Sequence, residues 1–336
     1  MRGTWKKISV AAAACLVFAA PAAANDSTAE LAMGGLQFTR TDAIEMVSED
    51  LYLSRREVRV RYVFRNRTAR DVTTRVAFPL PAIGPEFSEA PVDIPDPSSP
   101  NFVRFRTSVD GRPVPLEVEA RALLDGADVT ARVSAAGLPL MMLDPAFDAA
   151  AGRMNEAALA DLARAGLIEY EPATPGGARA FVRPLWTLTT AFHRMQTFPA
   201  GRDVIVEHSY APIVGGSVQT MLLSPYAGAD DPERARLVRD YCVDDAFMRG
   251  ARAMARRVGG QERVQQASMS YVLTTGANWA GPIGRFHLTI DKGEPDALVS
   301  LCAPDIRRTA PTRFEVTRTN FTPRADIRVL FLLPSP

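Results

Sequence analysis

The feature that most constrains the fold is a run of alternating apolar and polar residues between positions 50 and 81. Its first part places apolar side chains at every second position, at Val58, Val60, Tyr62 and Phe64. After a turn-forming segment at 66–71, the same period returns at Val72, Thr74, Val76 and Phe78. A period of two is typical of a β-strand with one buried and one hydrated face. The run therefore predicts a β-hairpin whose apolar face must be covered by a second layer.

Further short alternating segments follow, separated by turn residues. Asp110-Gly111 lies between two of them and is typical of a tight turn joining paired strands. A helical segment with a break is predicted at 231–258, where Asp231-Pro232 supplies a cap and a residue suited to the first turn. Short strands with turn chemistry between them predict a mainly β, α+β fold made of antiparallel β-sandwich lobes with helical insertions.

The sequence divides into four predicted parts, and its 336 residues, 47% of them hydrophobic, suffice for a large core. In order, these parts are a signal peptide at 1–24, an N-terminal β-sandwich lobe at 25–122, a helical connector or insertion at 123–177, and a C-terminal β-rich lobe at 178–336. The connector is assigned from helical spacing of apolar residues after Asn155, which is a suitable N-cap.

The first 24 residues have the parts of a secretory signal peptide. Basic residues come first, then an apolar run at 8–20 that is too short to span a bilayer, then the small-residue cleavage pattern Ala22-Ala23-Ala24. Cleavage there yields a mature chain that begins at Asn25. We therefore expect a periplasmic protein with no integral membrane span after cleavage; the alternative is an uncleaved membrane anchor.

The charge balance argues against nucleic acid as a partner. The whole chain has 39 basic and 38 acidic residues. Residues 1–24 contain three of the basic residues and no acidic one, so the mature chain has 36 basic and 38 acidic residues and a net charge of −2. A nucleic-acid-binding surface requires an excess of positive charge.

Two cysteines remain after cleavage, Cys242 and Cys302. An even number in an oxidising compartment predicts one disulfide, and two buried free thiols are the alternative. Neither cysteine lies in a C-x-x-C motif, so a redox or zinc site is not expected.

Motifs for catalysis are absent from the sequence. It has no H-x-H, H-E-x-x-H, G-x-S-x-G, Walker A or G-x-G-x-x-G pattern, so we expect no metal and no cofactor. We place His208 partly buried beside Tyr210, and His193 and His287 on hydrated faces. A binding or protein-interaction module is therefore favoured over an enzyme.

Two alternative functions stay open. A periplasmic hydrolase could use His208 or the acidic group Asp240, Asp244 and Asp245, although helix capping and pairing with arginines explain these acids equally well. An envelope-assembly factor could instead act by adding a β-strand to a client protein.

Exposed aromatic residues are the best candidates for a ligand site. The segment Asn278-Trp279 is predicted to lie in a loop between strands, where an indole could stack on a small ligand or on a periplasmic protein partner. We combine it with Tyr210 and His208 as the predicted ligand-binding set. The alternative is that Trp279 closes the end of the core, because large aromatic residues are usually buried.

Several segments resemble DUF4424, a family of bacterial exported proteins of unknown function. They lie at 25–31, 34–36, 48–51, 58–62, 76–81, 208–212, 241–244 and 278–283. The resemblance covers nearly the whole mature chain. It implies a periplasmic protein of the Gram-negative type and brings no catalytic residues.

Overall fold

The computed structural model describes residues 26–32, 35–88, 91–172, 181–228 and 230–335, and the fold is mainly β with a smaller helical part. The strands, in chain order, are β1 (Ser27–Ala32), β2 (Gly35–Thr39), β3 (Ile44–Ser54), β4 (Val58–Asn66), β5 (Val72–Pro79), β6 (Val92–Asp93), β7 (Arg106–Val109), β8 (Arg112–Pro113), β9 (Glu117–Leu124), β10 (Ala127–Asp128), β11 (Ile168–Glu171), β12 (Phe181–Pro184), β13 (Thr187–Phe198), β14 (Asp203–Tyr210), β15 (Val214–Ser217), β16 (Val264–Tyr271), β17 (Ile283–Asp291), β18 (Leu298–Leu301), β19 (Arg307–Arg308), β20 (Arg313–Phe321) and β21 (Ile327–Pro334). The α-helices are α1 (Thr130–Ala135), α2 (Pro145–Ala151), α3 (Glu156–Arg164), α4 (Pro232–Asp240) and α5 (Asp245–Val258).

These strands form four sheets within the described residues. The largest has eight strands in the order β19-β20-β17-β3-β4-β14-β7-β8, and the second has six in the order β10-β9-β13-β5-β1-β2. A five-stranded sheet has the order β18-β21-β16-β15-β6, and β11 and β12 form a separate pair. Neighbouring strands are antiparallel, with β3 and β17 a parallel pair. The predicted mainly β, α+β fold class is confirmed.

The inner faces of the eight-stranded and six-stranded sheets pack against each other. Across this interface, the rings of Phe64 and Phe198 lie 5.8 Å apart, and those of Phe78 and His208 lie 5.1 Å apart. The alternating residues of β4 are at most 2% exposed. The prediction that this apolar face is removed from water is therefore confirmed.

The predicted hairpin between β4 and β5 is wrong. β4 pairs with β3 and β14 in the eight-stranded sheet, whereas β5 pairs with β1 and β13 in the six-stranded sheet. The turn between them carries the chain from one sheet to the other. Asn66 holds it by donating to the carbonyl oxygens of Arg70 and Phe198 and by accepting from the Thr68 N–H. The apolar side chains of β4 and β5 face the same interior. The two strands therefore show the alternating pattern that a hairpin would show.

The predicted helix at 231–258 is two helices, α4 and α5, with a turn between them. Asp231 caps α4 by accepting from the Arg234 N–H, and Asp244 caps α5 by accepting from the Phe247 N–H. α5 ends at Gly259, whose φ of 87° is a conformation that favours glycine. Both helices pack on the five-stranded sheet through a second apolar cluster that includes Leu237, Ala251, Met254, Leu330 and Leu332.

The predicted disulfide joins Cys242 and Cys302, with a Cα–Cα distance of 5.1 Å. Cys242 lies in the turn between α4 and α5, and Cys302 directly follows β18. The link therefore ties the helical layer to an edge of the five-stranded sheet.

The predicted connector at 123–177 contains α1, α2 and α3. Asn155 caps α3 as expected by accepting from the Ala158 N–H. The helix ends at Arg164, and Gly166 with φ 71° then leads into β11. Residues 173–177 of the connector lie outside the described residues.

Strands from the two predicted lobes share sheets. In the six-stranded sheet, β13 lies between β9 and β5, and in the eight-stranded sheet, β14 lies between β4 and β7. The boundary between 25–122 and 178–336 therefore does not coincide with the boundary between sheets. No helix in the described ranges is long and apolar enough to cross a membrane.

Candidate functional site

Three of the four residues predicted to bind a ligand lie in the interior of the protein, and the fourth, Asn278, is half-buried. Tyr210, His208 and Trp279 are 5%, 3% and 3% exposed. His208 and Tyr210 lie on the inner face of β14, and Asn278-Trp279 ends a short 3-10 turn at Thr274–Asn278. Of the two interpretations of Trp279, the exposed loop is incorrect and burial in the core agrees with the structure, because the indole packs 4.4 Å from Phe64 between ring centroids. Ligand contact by the four residues stays a prediction.

Three of these four residues contact the start of the described chain. The indole N–H of Trp279 donates to the carbonyl oxygen of Asp26 at 2.6 Å, and the amide of Asn278 donates to Ser27 Oγ at 2.9 Å. His208 Nε2 lies 3.1 Å from Asp26 Oδ2, an ion-pair distance at which the two groups are not aligned as a hydrogen bond. The structure therefore brings these side chains together around a segment of the same chain.

Asp26 and the residues after it are buried in spite of their polarity. Asp26, Ser27 and Thr28 are at most 3% exposed. The backbone N–H of Asp26 donates to the hydroxyl of Tyr62, and the side chain of Arg194 attracts the Asp26 carboxylate. From Ser27 the chain continues as β1, which lies between β5 and β2. Sequence reasoning missed Asp26; the resemblance at 25–31 was the signal that pointed to this segment.

A chain of buried hydroxyl groups continues from Asp26. The hydroxyls of Tyr62 and Tyr271 are 3.0 Å apart, and Tyr271 donates to Glu49 Oε1 at 3.4 Å. Burial raises the pKa of both tyrosines, and the negative charge of Glu49 adds to this increase. The phenols are therefore neutral and act as hydrogen-bond groups.

The three histidines do not converge on one metal site, and no cluster of metal-ligating side chains is present in the part of the chain that the structure describes. His193 is 5% exposed, so the predicted hydrated position is wrong. Its Nδ1 lies 2.9 Å from Nη1 of the Arg75 guanidinium. His287 is half-buried, with Nδ1 3.3 Å from Asp50.

The acidic group considered for hydrolysis is occupied by structural contacts. Asp240 pairs with Arg239 and Arg328, each at 3.0 Å, and Asp244 caps α5. Asp245 is exposed in the first turn of the same helix. These positions support the capping and ion-pair interpretation, although the arginine partners differ in part from those expected.

A cavity of about 850 Å³ is the better candidate for a ligand site. It is bounded by strands of the eight-stranded sheet and by the segment that leads from β8 into β9. Its apolar lining includes Phe105, Val114, Leu116, Val118 and Phe192. Phe105 and Phe192 stack with centroids 4.5 Å apart and form one continuous aromatic surface.

The charged lining of the cavity comes from adjacent strands and includes Asp50, Arg59, Arg61, Arg106, Glu207 and His287. Both acids have cationic neighbours. Asp50 lies 3.1 Å from Arg285, and Glu207 lies 3.8 Å from Arg61. Within the described ranges no ion pair involves Arg106, whose side chain is exposed. The cavity therefore has one arginine with no acidic partner.

Two buried polar side chains also line the cavity. His208 and Thr107 are cross-strand partners on β14 and β7, and they are 3% and 6% exposed. Neither Thr107 Oγ1 nor His208 Nδ1 has a hydrogen-bond partner among the residues that the structure describes. Buried polar groups are normally satisfied, and exceptions are frequent at functional sites. Of the predicted site residues, His208 is the one that reaches this cavity.

Comparison with known proteins gives one family match. The family model "Domain of unknown function (DUF4424)" matches residues 24–330. A Legionella pneumophila crystal structure, described as a "putative nutrient binding protein", shares 14% sequence identity with a TM-score of 0.43; the match covers 92% of this chain and 70% of that chain. A search of curated proteins finds no match.

Proposed function

This chain belongs to the DUF4424 family, and we propose that it is an exported protein that binds a small ligand in the cavity beside β7 and β8. The observation that carries the proposal is the cavity itself. Its volume of about 850 Å³ lies in the range of natural ligand sites, roughly 300–1,000 Å³. Its lining combines an aromatic surface with charged groups, which is the composition that orients a ligand.

Export is the second part of the proposal, and it is supported by the predicted signal peptide at 1–24. The disulfide between Cys242 and Cys302 is in keeping with an oxidising compartment. N-terminal sequencing of the protein from a periplasmic extract is expected to start at Asn25. A start at Met1 contradicts the processing that we propose.

Binding is tested by a thermal-shift screen of small metabolites on the mature chain, followed by calorimetry on those that raise Tm. A ligand at 100 times its Kd stabilises a protein by about 2.7 kcal/mol, which is readily measured. We expect Val118→Trp to abolish binding, because the larger ring fills the cavity next to Phe192.

The matched control is Val218→Trp, the same substitution at a side chain that is 64% exposed and outside the cavity lining. It is expected to leave affinity unchanged. Leu116→Trp, at a second lining position, separates loss of binding from a folding defect of one variant. A ligand that binds both filled variants with unchanged affinity shows that the site is elsewhere and contradicts the proposal.

A further inference from the structure

We infer that the cavity takes an anionic amphiphile, a small molecule with a carboxylate at one end and an apolar body. This inference rests on the proposed binding function and specifies its ligand. Its first support is the charge of the lining. Asp50 and Glu207 each pair with an arginine of the protein, whereas Arg106 has no acidic partner among the described residues. A guanidinium presents parallel N–H donors that match the two oxygens of a carboxylate.

The apolar body of the ligand is inferred from the apolar part of the lining. Phe105 and Phe192 are stacked, and Leu116 and Val118 extend the same surface. Thr107 and His208 also contribute to the lining, but their side chains face the interior, so the ligand is oriented by its head group and by this apolar surface.

A matched set of probes tests the ligand class: octanoate, octanamide and octylammonium have the same body and different head groups. By calorimetry we expect octanoate to bind at least about tenfold more tightly than octanamide, and octylammonium not to bind, since a charge-assisted hydrogen bond is worth at least this factor. Arg106→Gln should weaken octanoate at least about tenfold and leave octanamide unchanged. Arg112→Gln, at an exposed arginine outside the cavity lining, is the control and should change neither affinity.

Equal binding of octanoate and octanamide overturns the carboxylate assignment, and so does an unchanged octanoate affinity in Arg106→Gln. Failure of all three probes overturns the amphiphile class. The proposed function survives each of these results if a ligand from the metabolite screen is lost in Val118→Trp and kept in Val218→Trp. The two hypotheses therefore fail separately.

A second inference concerns the buried start of the mature chain. We propose that docking of the segment 26–32 into the core, which we call the N-terminal latch, takes place only after signal-peptide cleavage. It rests on the export part of the proposed function. The latch is held by the contacts of Asp26 and Ser27 with Trp279, Asn278 and His208, and by β1 pairing with β5 and β2.

An uncleaved signal peptide forms a short tether. The apolar run ends at Ala20, and the six steps from there to Asp26 span at most about 21 Å. Asp26 is 1% exposed. A signal peptide held in the membrane therefore keeps Asp26 within about 21 Å of the bilayer, so docking requires the folded domain to bring this buried position that close to the membrane. We expect the precursor to leave the latch undocked until it is cut.

The test uses a precursor in which cleavage is blocked by Ala24→Phe, compared with the same precursor carrying a 20-residue Gly/Ser linker between residues 24 and 25. Such a linker spans about 25 Å on average, which is long enough for the latch to dock. We expect limited proteolysis to degrade the directly tethered precursor at least about tenfold faster than the mature chain, and the linker form to match the mature chain.

Equal protease resistance of the directly tethered precursor and the mature chain overturns the latch inference. Degradation of the linker form as fast as the directly tethered one overturns it too, because the tether length is then irrelevant. N-terminal sequencing of the unmodified protein reports on export independently. If sequencing shows a start at Asn25 and either of these protease results is obtained, the latch inference is contradicted and the proposed export is not.

Discussion

Individual buried polar residues decide much of the interior of this protein. Burial of an isolated carboxylate is costly, so the Asp26 side chain requires compensation. His208 lies 3.1 Å away, and Arg194 attracts the same carboxylate. Removal of one member of such a group is expected to destabilise the protein more than the group contributes as a whole, because the remaining charge stays buried without its partner.

His193 provides a pH prediction at the residue scale. Burial lowers its pKa below 6.5, the positive Arg75 acts in the same direction, and Glu117 opposes them. The unfolded chain therefore binds a proton more readily than the folded chain. The stability that neutral His193 contributes is present above about pH 6.5 and is lost as the pH falls through that value toward the lowered pKa of the folded state.

We expect His193→Gln to reduce the decrease in Tm between pH 7.5 and pH 5.5, since glutamine keeps an acceptor for Arg75 and binds no proton. The measurement is Tm as a function of pH for both proteins. The comparison at pH 8, where histidine is neutral in both states, corrects for any change in packing. An unchanged slope between pH 7.5 and 5.5 contradicts the assignment.

Among the elements, the layer formed by α4, α5 and the five-stranded sheet is held by both packing and a covalent link. The disulfide from Cys242 to Cys302 closes a loop of 60 residues. In the chain-entropy account such a link stabilises a protein by up to ~4 kcal/mol. The second apolar cluster, centred on Leu237 and Met254, remains when the link is removed.

We therefore expect the double variant Cys242→Ala, Cys302→Ala to fold with a free energy of unfolding lower by up to ~4 kcal/mol, measured by urea denaturation. Addition of reductant should destabilise the wild type by a similar amount and leave the double variant unchanged. Equal midpoints for the wild type with and without reductant would contradict a stabilising link.

The edge strands of the sheets are relevant to the alternative function, an envelope-assembly factor that adds a β-strand to a client protein. β8, β10 and β19 are edge strands of only two residues each, and β6 at the edge of the five-stranded sheet is equally short. Short edges are poor templates for an incoming strand. β20 is longer than the part of it that pairs with β19, so its remaining residues offer the longer edge of that sheet.

At the scale of the whole molecule, strands that are far apart in the chain lie side by side. β14 inserts between β4 and β7, and β17 pairs with β3 in parallel. The cavity depends on this arrangement, because its lining comes from residues 50–118, 192–209 and 287–289. It was not predictable from the sequence, since pairing across such separations leaves no local trace.

The candidate site was only partly predictable for the same reason. His208 was singled out, yet its partner Asp26 lies 182 positions earlier in the chain, a separation over which no spacing rule operates. Arg106 and Thr107 carry no motif, and their role follows from what surrounds them. Trp279 was identified as important with two interpretations, an exposed loop or the end of the core, because one aromatic residue in a turn does not reveal whether another layer covers it.

The sequence by itself determined which side chains of β4 leave water, where α4 begins, and which two cysteines join. Periodicity and capping act over a few residues and can be read directly along the chain, and the two cysteines outside the predicted signal peptide allow one pairing. The tertiary structure alone decided that β4 and β5 belong to different sheets, that the latch fills the space beside His208, and that a cavity forms near β7. A period of two specifies a buried face and does not specify the neighbour that covers it.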